Sequence, residues 1–150
     1  MGEEPWRMAL ALTRLAAMDA PMTKVQTTTR SITVKAEAFF VPERSSAIKS
    51  NYFFAYRIEI ENDGEVPVRL MNRHWIITDG NNTIREIEGE GVVGQQPDIM
   101  PGQSYSYSSG AILSTKTGTM EGSYKMRSFE GIDFNAIIEP FGLIHPNSLQ

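Results

Sequence analysis

The sequence predicts an all-β chain folded as a β-sandwich of about seven short strands. Three observations carry that prediction. Apolar residues recur with a period of two in segment after segment from Val25 onward. Turn-forming Gly, Pro, Asn and Asp residues punctuate those segments at short intervals. No segment beyond residue 22 shows a helical period.

In the first strand Ile32, Val34, Ala36, Ala38 and Phe40 alternate with Thr33, Lys35, Glu37 and Phe39. Pro42 and the polar run 43–50 make a loop. Next, Tyr52, Phe54, Tyr56, Ile58 and Ile60 share one face, while Arg57, Glu59 and Glu61 take the other. Asn62-Asp63-Gly64-Glu65 is expected as a hairpin turn, because Asp-Gly supplies the positive φ such turns need.

The strand from Val66 to Thr78 changes phase. Val66, Val68 and Leu70 stand at even positions, Trp75 and Ile77 at odd ones. A straight strand cannot bury all five, so a bulge or bend near Met71–Arg73 is expected, turning the chain at a sandwich corner. Asp79-Gly80-Asn81-Asn82 is a second turn, with a short strand over 83–88 after it. An irregular loop then carries several glycines, Pro97 and the Pro101-Gly102 turn. Three more alternating segments complete the count: Tyr105 and Tyr107 among serines, Met120 to Met126, and Ile132 to Ile138.

At 150 residues the chain is one domain's worth. Its 14 Lys and Arg against 18 Asp and Glu give a net charge of −4, with the cations scattered. That is no footprint for DNA or RNA, so nucleic acid is excluded as a partner. The absence of cysteine excludes disulfides, thiolate metal sites and a Cys nucleophile, and suits a reducing cytoplasm. No apolar run approaches the roughly 18 residues that span a bilayer. Residues 1–22 carry a weak apolar stripe (Met8, Leu12, Leu15). Glu3 and Glu4 do not suit a secretory signal, and the lack of Ser does not suit a transit peptide. Met18 and Met22 offer alternative starts. Residues 1–22 are therefore read as a dispensable extension or a misplaced start, and 23–150 as the domain.

Gly89, Gly91 and Gly94 spell Gly-x-Gly-x-x-Gly. A dinucleotide fingerprint needs a helix opening on that motif, since the helix N-terminus holds the pyrophosphate. Pro97 and Pro101 leave no room for one. The glycines are read instead as a loop with positive φ and close backbone packing. A nest of backbone amides that holds phosphate without a helix is the alternative. Arg73-His74-Trp75 sets a cation, an imidazole and an indole side by side: either a stacking platform with a phosphate anchor, or a core Trp with outward polar neighbours. Gly89, Gly91, Gly94, Arg73, His74 and Trp75 are thus the candidate ligand-binding residues. Glu86, Glu88 and Glu90 share one strand face and would suit Mg²⁺, but read better as a solvated acidic face, so no metal site and no cofactor are assigned. No Gly-x-Ser-x-Gly elbow or ordered Ser–His–Asp set is present, so no catalytic residues are assigned and an enzyme is not expected.

Several blocks together resemble the ApaG family. They are Arg73-His74-Trp75-Ile76-Ile77-Thr78-Asp79, Gly89-x-Gly91-Val92-Val93-Gly94-x-Gln96-Pro97, Tyr105-x-Tyr107, Leu113-Ser114-Thr115, Gly118-x-Met120-x-Gly122-Ser123-Tyr124-x-Met126 and Pro140-Phe141-x-Leu143. The resemblance implies an immunoglobulin- or fibronectin-III-like sandwich over residues 23–143. It also implies a non-catalytic binding module for a protein partner, with a link to Co²⁺ and Mg²⁺ tolerance. The alternative is a small-ligand sensor, holding a nucleotide polyphosphate or a divalent-cation complex at the glycine loop. Exposed apolar surface of several hundred Å² would point to a protein partner or a homodimer.

Overall fold

A computed structural model describes residues 23–146, so the expectation for residues 1–22 concerns residues outside those described. Nine strands follow in order: β1 (Thr23–Thr29), β2 (Ile32–Phe40), β3 (Tyr52–Asn62), β4 (Val68–Asp79), β5 (Ile84–Glu90), β6 (Asp98–Ile99), β7 (Ser104–Leu113), β8 (Thr117–Ser128) and β9 (Asp133–Ile144). A 3₁₀ turn at Pro42–Arg44 lies between β2 and β3. One sheet runs β1-β2-β3-β7, the other β5-β4-β8-β9, with β6 beside the start of β4; every pairing is antiparallel. The fold is an immunoglobulin/fibronectin-III-like β-sandwich.

The strand count exceeds seven for two reasons. The long first segment is two strands folded back at Arg30 and Ser31, whose φ values of 48° and 66° make a two-residue hairpin turn. Such turns favour Gly and Asn, and neither residue is there to announce it. β6 has only two residues, held by its pairing to Val68 and Arg69 and by a bidentate Arg69–Asp98 ion pair.

The Asn62–Glu65 turn is present but is not a hairpin. β3 and β4 lie in different sheets, so the turn carries the chain across the sandwich. Buried Asn62 fixes it: Oδ1 accepts from Gly64 N at 2.9 Å, and Nδ2 donates to the carbonyls of Val66 (2.9 Å) and Ile99 (3.0 Å). An Asx side chain that satisfies backbone groups on both sides of a turn serves the geometry as well as a hairpin ladder would.

The phase change in β4 is a bulge, as expected. Pairing with β8 slips between Leu70 and Asn72, leaving Met71 as the extra residue. Val68 and Leu70 before it, and Trp75 and Ile77 after it, all reach the core. The expected corner is absent, because β4 stays in one sheet along its whole length. A second slip falls between Met120 and Gly122 against β9, where Pro140 sits in the extra stretch. Proline, having no N–H to offer a ladder, belongs at such a place.

Trp75 is the hub of the core. Its ring centroid lies 5.4 Å from that of Tyr56 in the facing sheet, and 6.1 Å from those of Tyr124 and Phe141 in its own. On one side of the sandwich β1 closes against β9, with Thr23 Oγ1 donating to Gly142 O (2.6 Å) and Ile137 N donating to Thr29 Oγ1 (3.2 Å). On the opposite side β5 and β7 each have a single hydrogen-bonded neighbour, so both are edges.

A polar latch ties the β4–β5 turn to the β7–β8 turn. Buried Asp79 accepts through Oδ2 from Ser114 N (2.9 Å) and Ser114 Oγ (2.5 Å), and Thr115 Oγ1 accepts from Gly80 N (2.7 Å). Removing the carboxylate strands two donors in a partly buried place. Asp79→Ala is expected to lower unfolding free energy by about 1–3 kcal/mol, read as a shifted urea midpoint at unchanged slope.

Candidate functional site

The bulge at Met71 decides what gathers on the open side. Cross-strand partners share a face, so Arg73 with Gly89, Trp75 with Ile87 and Ile77 with Arg85 line the inner side of the β4–β5 pair. His74 with Glu88 and Ile76 with Glu86 line the outer side. Trp75 is therefore core, as one of the two sequence readings has it, and His74 points outward. Arg73 does not; it turns inward beside the glycine block.

Gly89 belongs to β5 and not to the loop. A Cβ built on it would stand 2.8–2.9 Å from the guanidinium of Arg73, which lies across it. From there Arg73 Nη1 donates to the carbonyls of Glu90 and Gly91, each at 3.0 Å. The chain then leaves β4 at the bulge and returns to it. Gly91 N and Gln96 Nε2 both donate to Met71 O (2.9 and 2.8 Å), and Leu70 N donates to Pro97 O (3.0 Å). Between those ties Val92 and Gln95 exchange backbone hydrogen bonds of 2.8 and 2.9 Å around a turn at Val93 and Gly94, with φ of 41° and 80°. Val92 is fully buried, and Tyr105 Oη reaches Gln95 Oε1 at 3.3 Å. A β-branched residue at positive φ is an outlier, and Val93 keeps that conformation because the paired Val92–Gln95 hydrogen bonds close the turn around it.

The glycine block is thus an excursion of the edge strand, pinned at both ends and plugged into the core by Val92. The helix that a dinucleotide fingerprint requires is absent among the described residues. The amides of Gly91, Val92 and Gln95 are consumed internally, while those of Val93 and Gly94 stand outside these bonds.

Behind the block, between the sheets, lies a cavity of about 140 Å³. Tyr56, Trp75 and Tyr107 wall it on the core side, and Ile87 and Val93 toward the edge. Burial pushes the Tyr107 and Tyr124 hydroxyls well above the ordinary tyrosine value, and that of Tyr56 upward too; the charge of Arg73 pulls each back in part. Tyr107 and Tyr124 hydrogen-bond to each other through their hydroxyls. Arg85 closes the far end of the cleft: its guanidinium donates to Ile112 O on β7 and stands 3.6 Å from Asp79 Oδ1.

The outer face holds a grouping that sequence reading passed over. His74 Nε2 hydrogen-bonds Glu86, and the ligand atoms of His74, Glu86 and Glu88 all lie within 4.8 Å of one another. His74 is twelve or more residues from either carboxylate in the chain, and only the β4–β5 register brings them together. A search for alternating acids finds the glutamates but not their imidazole. His145 takes no part; its ring packs between Phe40 and Tyr52.

Residues 42–128 match the family model DUF525, the ApaG domain. The Protein ApaG of Pseudomonas syringae pv. tomato is 50% identical over 111 residues, covering 74% of this chain and 88% of that one. The chain belongs to the ApaG family. The Protein ApaG of Pseudomonas aeruginosa is 45% identical over 123 residues, 82% of this chain and 98% of that one. A crystal structure of the putative ApaA protein from Bordetella pertussis superposes with a TM-score of 0.76 at 42% identity, covering 80% of this chain and 98% of that one. The blocks that carry the resemblance to ApaG are thus those that build the bulge, the pinned loop and the Asp79 latch.

If the glycines serve architecture, their substitutions should differ sharply. A Cβ at Gly91 would fall 2.1 Å from Gln95 O, whereas at Gly94 nothing lies within 4 Å. Gly94→Ala should cost only the left-handed penalty of about 1–2 kcal/mol, and Gly91→Ala clearly more. Urea unfolding of the two variants side by side checks this; equal costs would contradict it.

Proposed function

We propose that this ApaG-family chain is a non-catalytic binding module that takes an extended segment of a protein partner at the free edge of β5, working in the cytoplasm. The observation that carries the reading is the state of that edge. The bonds Asp79 N to Thr83 O and Gly91 N to Met71 O bracket the β4–β5 ladder. Arg85, Ile87 and Gly89 therefore bond to β4, and the backbone groups of Ile84, Glu86 and Glu88 point out of the sheet. Ile84 is 65% exposed and Ile87 39%, along a strand with solvent beside it. A seven-residue strand with one edge unpaired and exposed isoleucines is a template for one more strand.

Catalysis has little support. The buried tyrosines hold their protons at neutral pH, and Ser114 bonds Asp79 directly with no imidazole between them. A nucleotide polyphosphate has less to draw on than a peptide, because Arg73 Nη1 and three loop amides are already engaged. Peptides selected from a random library should shift the amides of Ile84, Glu86 and Glu88 in NMR spectra and lose at least about tenfold in affinity to Ile84→Lys, which puts a charge on the edge. Selected peptides that map elsewhere, or a mass that doubles with concentration through this edge, would replace the partner with another surface or a second copy.

The His74–Glu86–Glu88 grouping supports a second reading, in which the link to cation tolerance is direct metal binding. An imidazole with two carboxylates suits Co²⁺ better than Mg²⁺, which prefers oxygen alone. Calorimetric titration should give Co²⁺ binding that His74→Ala abolishes; unchanged binding in the variant would refute the reading.

A further inference from the structure

The free edge of β5 offers two unlike faces to a strand laid beside it. Register against β4 puts Glu86, Glu88 and Glu90 on the outer side, and Arg85, Ile87 and Gly89 on the inner side. The outer side is acidic. Glu86 bonds His74 there, and the cations of this edge are turned to the other face: Arg73 donates to Glu90 O and Gly91 O, Arg85 to Ile112 O. Lys125, on the outer face of β8 across Asn72 from Glu90, stands 3.7 Å from Asp133 Oδ2. Cross-strand neighbours of opposite charge stabilise a pairing and like charges oppose it, so this row selects cations.

The inner side selects differently. Arg85 reaches across to Ile112 O at one end, and the guanidinium of Arg73 lies over Gly89 at the other. Between them Ile87 stands at the rim of the cavity of about 140 Å³, with exposed Gly94 also on its lining. A strand added to β5 would run about 5 Å away, so one of its inward side chains, the one beside Ile87, meets that opening. Voids of about 150 Å³ with apolar walls admit a benzene-sized guest. Here Trp75, Tyr107, Ile77 and Met120 supply rings and aliphatic groups. The lining hydroxyls have partners already: Tyr56 bonds Ser109, and Tyr107 bonds Tyr124. Arg73, also on the lining, repels a second cation and favours the face of a ring. With Nη1 engaged by two carbonyls it would pair a buried carboxylate poorly.

We infer that the partner segment captured at β5 carries a cation–ring–cation triplet: Lys or Arg beside Glu86 and Glu88, and between them a Phe whose ring enters the cavity past Ile87. This rests on the edge capture proposed above and adds what the edge selects. The triplet reads the same in both directions, so parallel and antiparallel addition meet the same chemistry.

The test titrates the whole chain, by NMR, with blocked threonine-flanked peptides carrying Lys-Phe-Lys, Lys-Ala-Lys or Glu-Phe-Glu. A chelator is present so that no metal occupies His74 and its two glutamates. Lys-Phe-Lys should shift the amides of Ile84, Glu86 and Glu88 and, through its ring current, the methyl signals of Ile77 and Met120. Ala for Phe should weaken binding at least about tenfold and leave those methyls still. Glu-Phe-Glu should bind at least about tenfold more weakly than Lys-Phe-Lys, and Glu88→Lys, at an exposed position that leaves the fold intact, should narrow or reverse that preference. Equal affinity for all three peptides at β5, or library-selected peptides that bind there without the triplet, would leave edge capture standing and overturn the triplet. Methyls that stay still with Lys-Phe-Lys would place its ring elsewhere and overturn it too. If no peptide, library-selected ones included, shifts the β5 amides, edge capture fails and the triplet with it.

Discussion

The extra residue at Met71 sets the phase of β4, and the phase of β4 decides what fills the core and what faces the cleft. Before the bulge Val68 and Leu70 point inward; after it Arg73, Trp75 and Ile77 do. Without that step Trp75 would leave the centre of the sandwich, and Tyr56, Tyr124 and Phe141 would lose the ring they pack around. The Met71 carbonyl faces β5 at the end of the β4–β5 ladder. Gly91 N and Gln96 Nε2 take it up, which is why the glycine block hangs there and at no other point along the edge.

Arg73 shows how charge is accommodated once the bulge has turned it inward. Its guanidinium rests on the bare Cα of Gly89 and gives hydrogen bonds to two carbonyls, so a cation at the rim of an aromatic core is solvated by backbone. Its field reaches three buried tyrosine hydroxyls and offsets part of what burial does to them. Burial still wins, and the hydroxyls stay neutral. Polar character in this core therefore stabilises one arrangement of rings.

Much of the fold was legible because period two is a local signal. The inward faces of β2 and β3 and the phase change of β4 follow from counting positions. What was hidden depends on pairing between distant residues. Arg30 and Ser31 adopt a turn their side chains do not advertise, and β6 is too short to show a period. The Asp63-Gly64 turn reads as a hairpin because turn chemistry is silent about which strands pair on either side. At the candidate site, the glycine motif was visible and so was the absence of a helix after it. The inward course of Arg73, the His74–Glu86–Glu88 grouping and the cavity were not, since each is created by the register of β4 against β5.

The seam between β1 and β9 carries a consequence for how this sandwich is wired into longer chains. Thr23 Oγ1 donates to Gly142 O, so the strand that opens the described chain and the strand that ends it are laced side by side at one margin. The open edge of β5 lies at the opposite margin. A neighbouring polypeptide can be spliced on at either end, or the domain looped into a host, and the load falls on the closed seam while the open cleft is left clear. Joining the two ends by a short linker and cutting new ones in the exposed 47–50 loop would ask nothing new of the core.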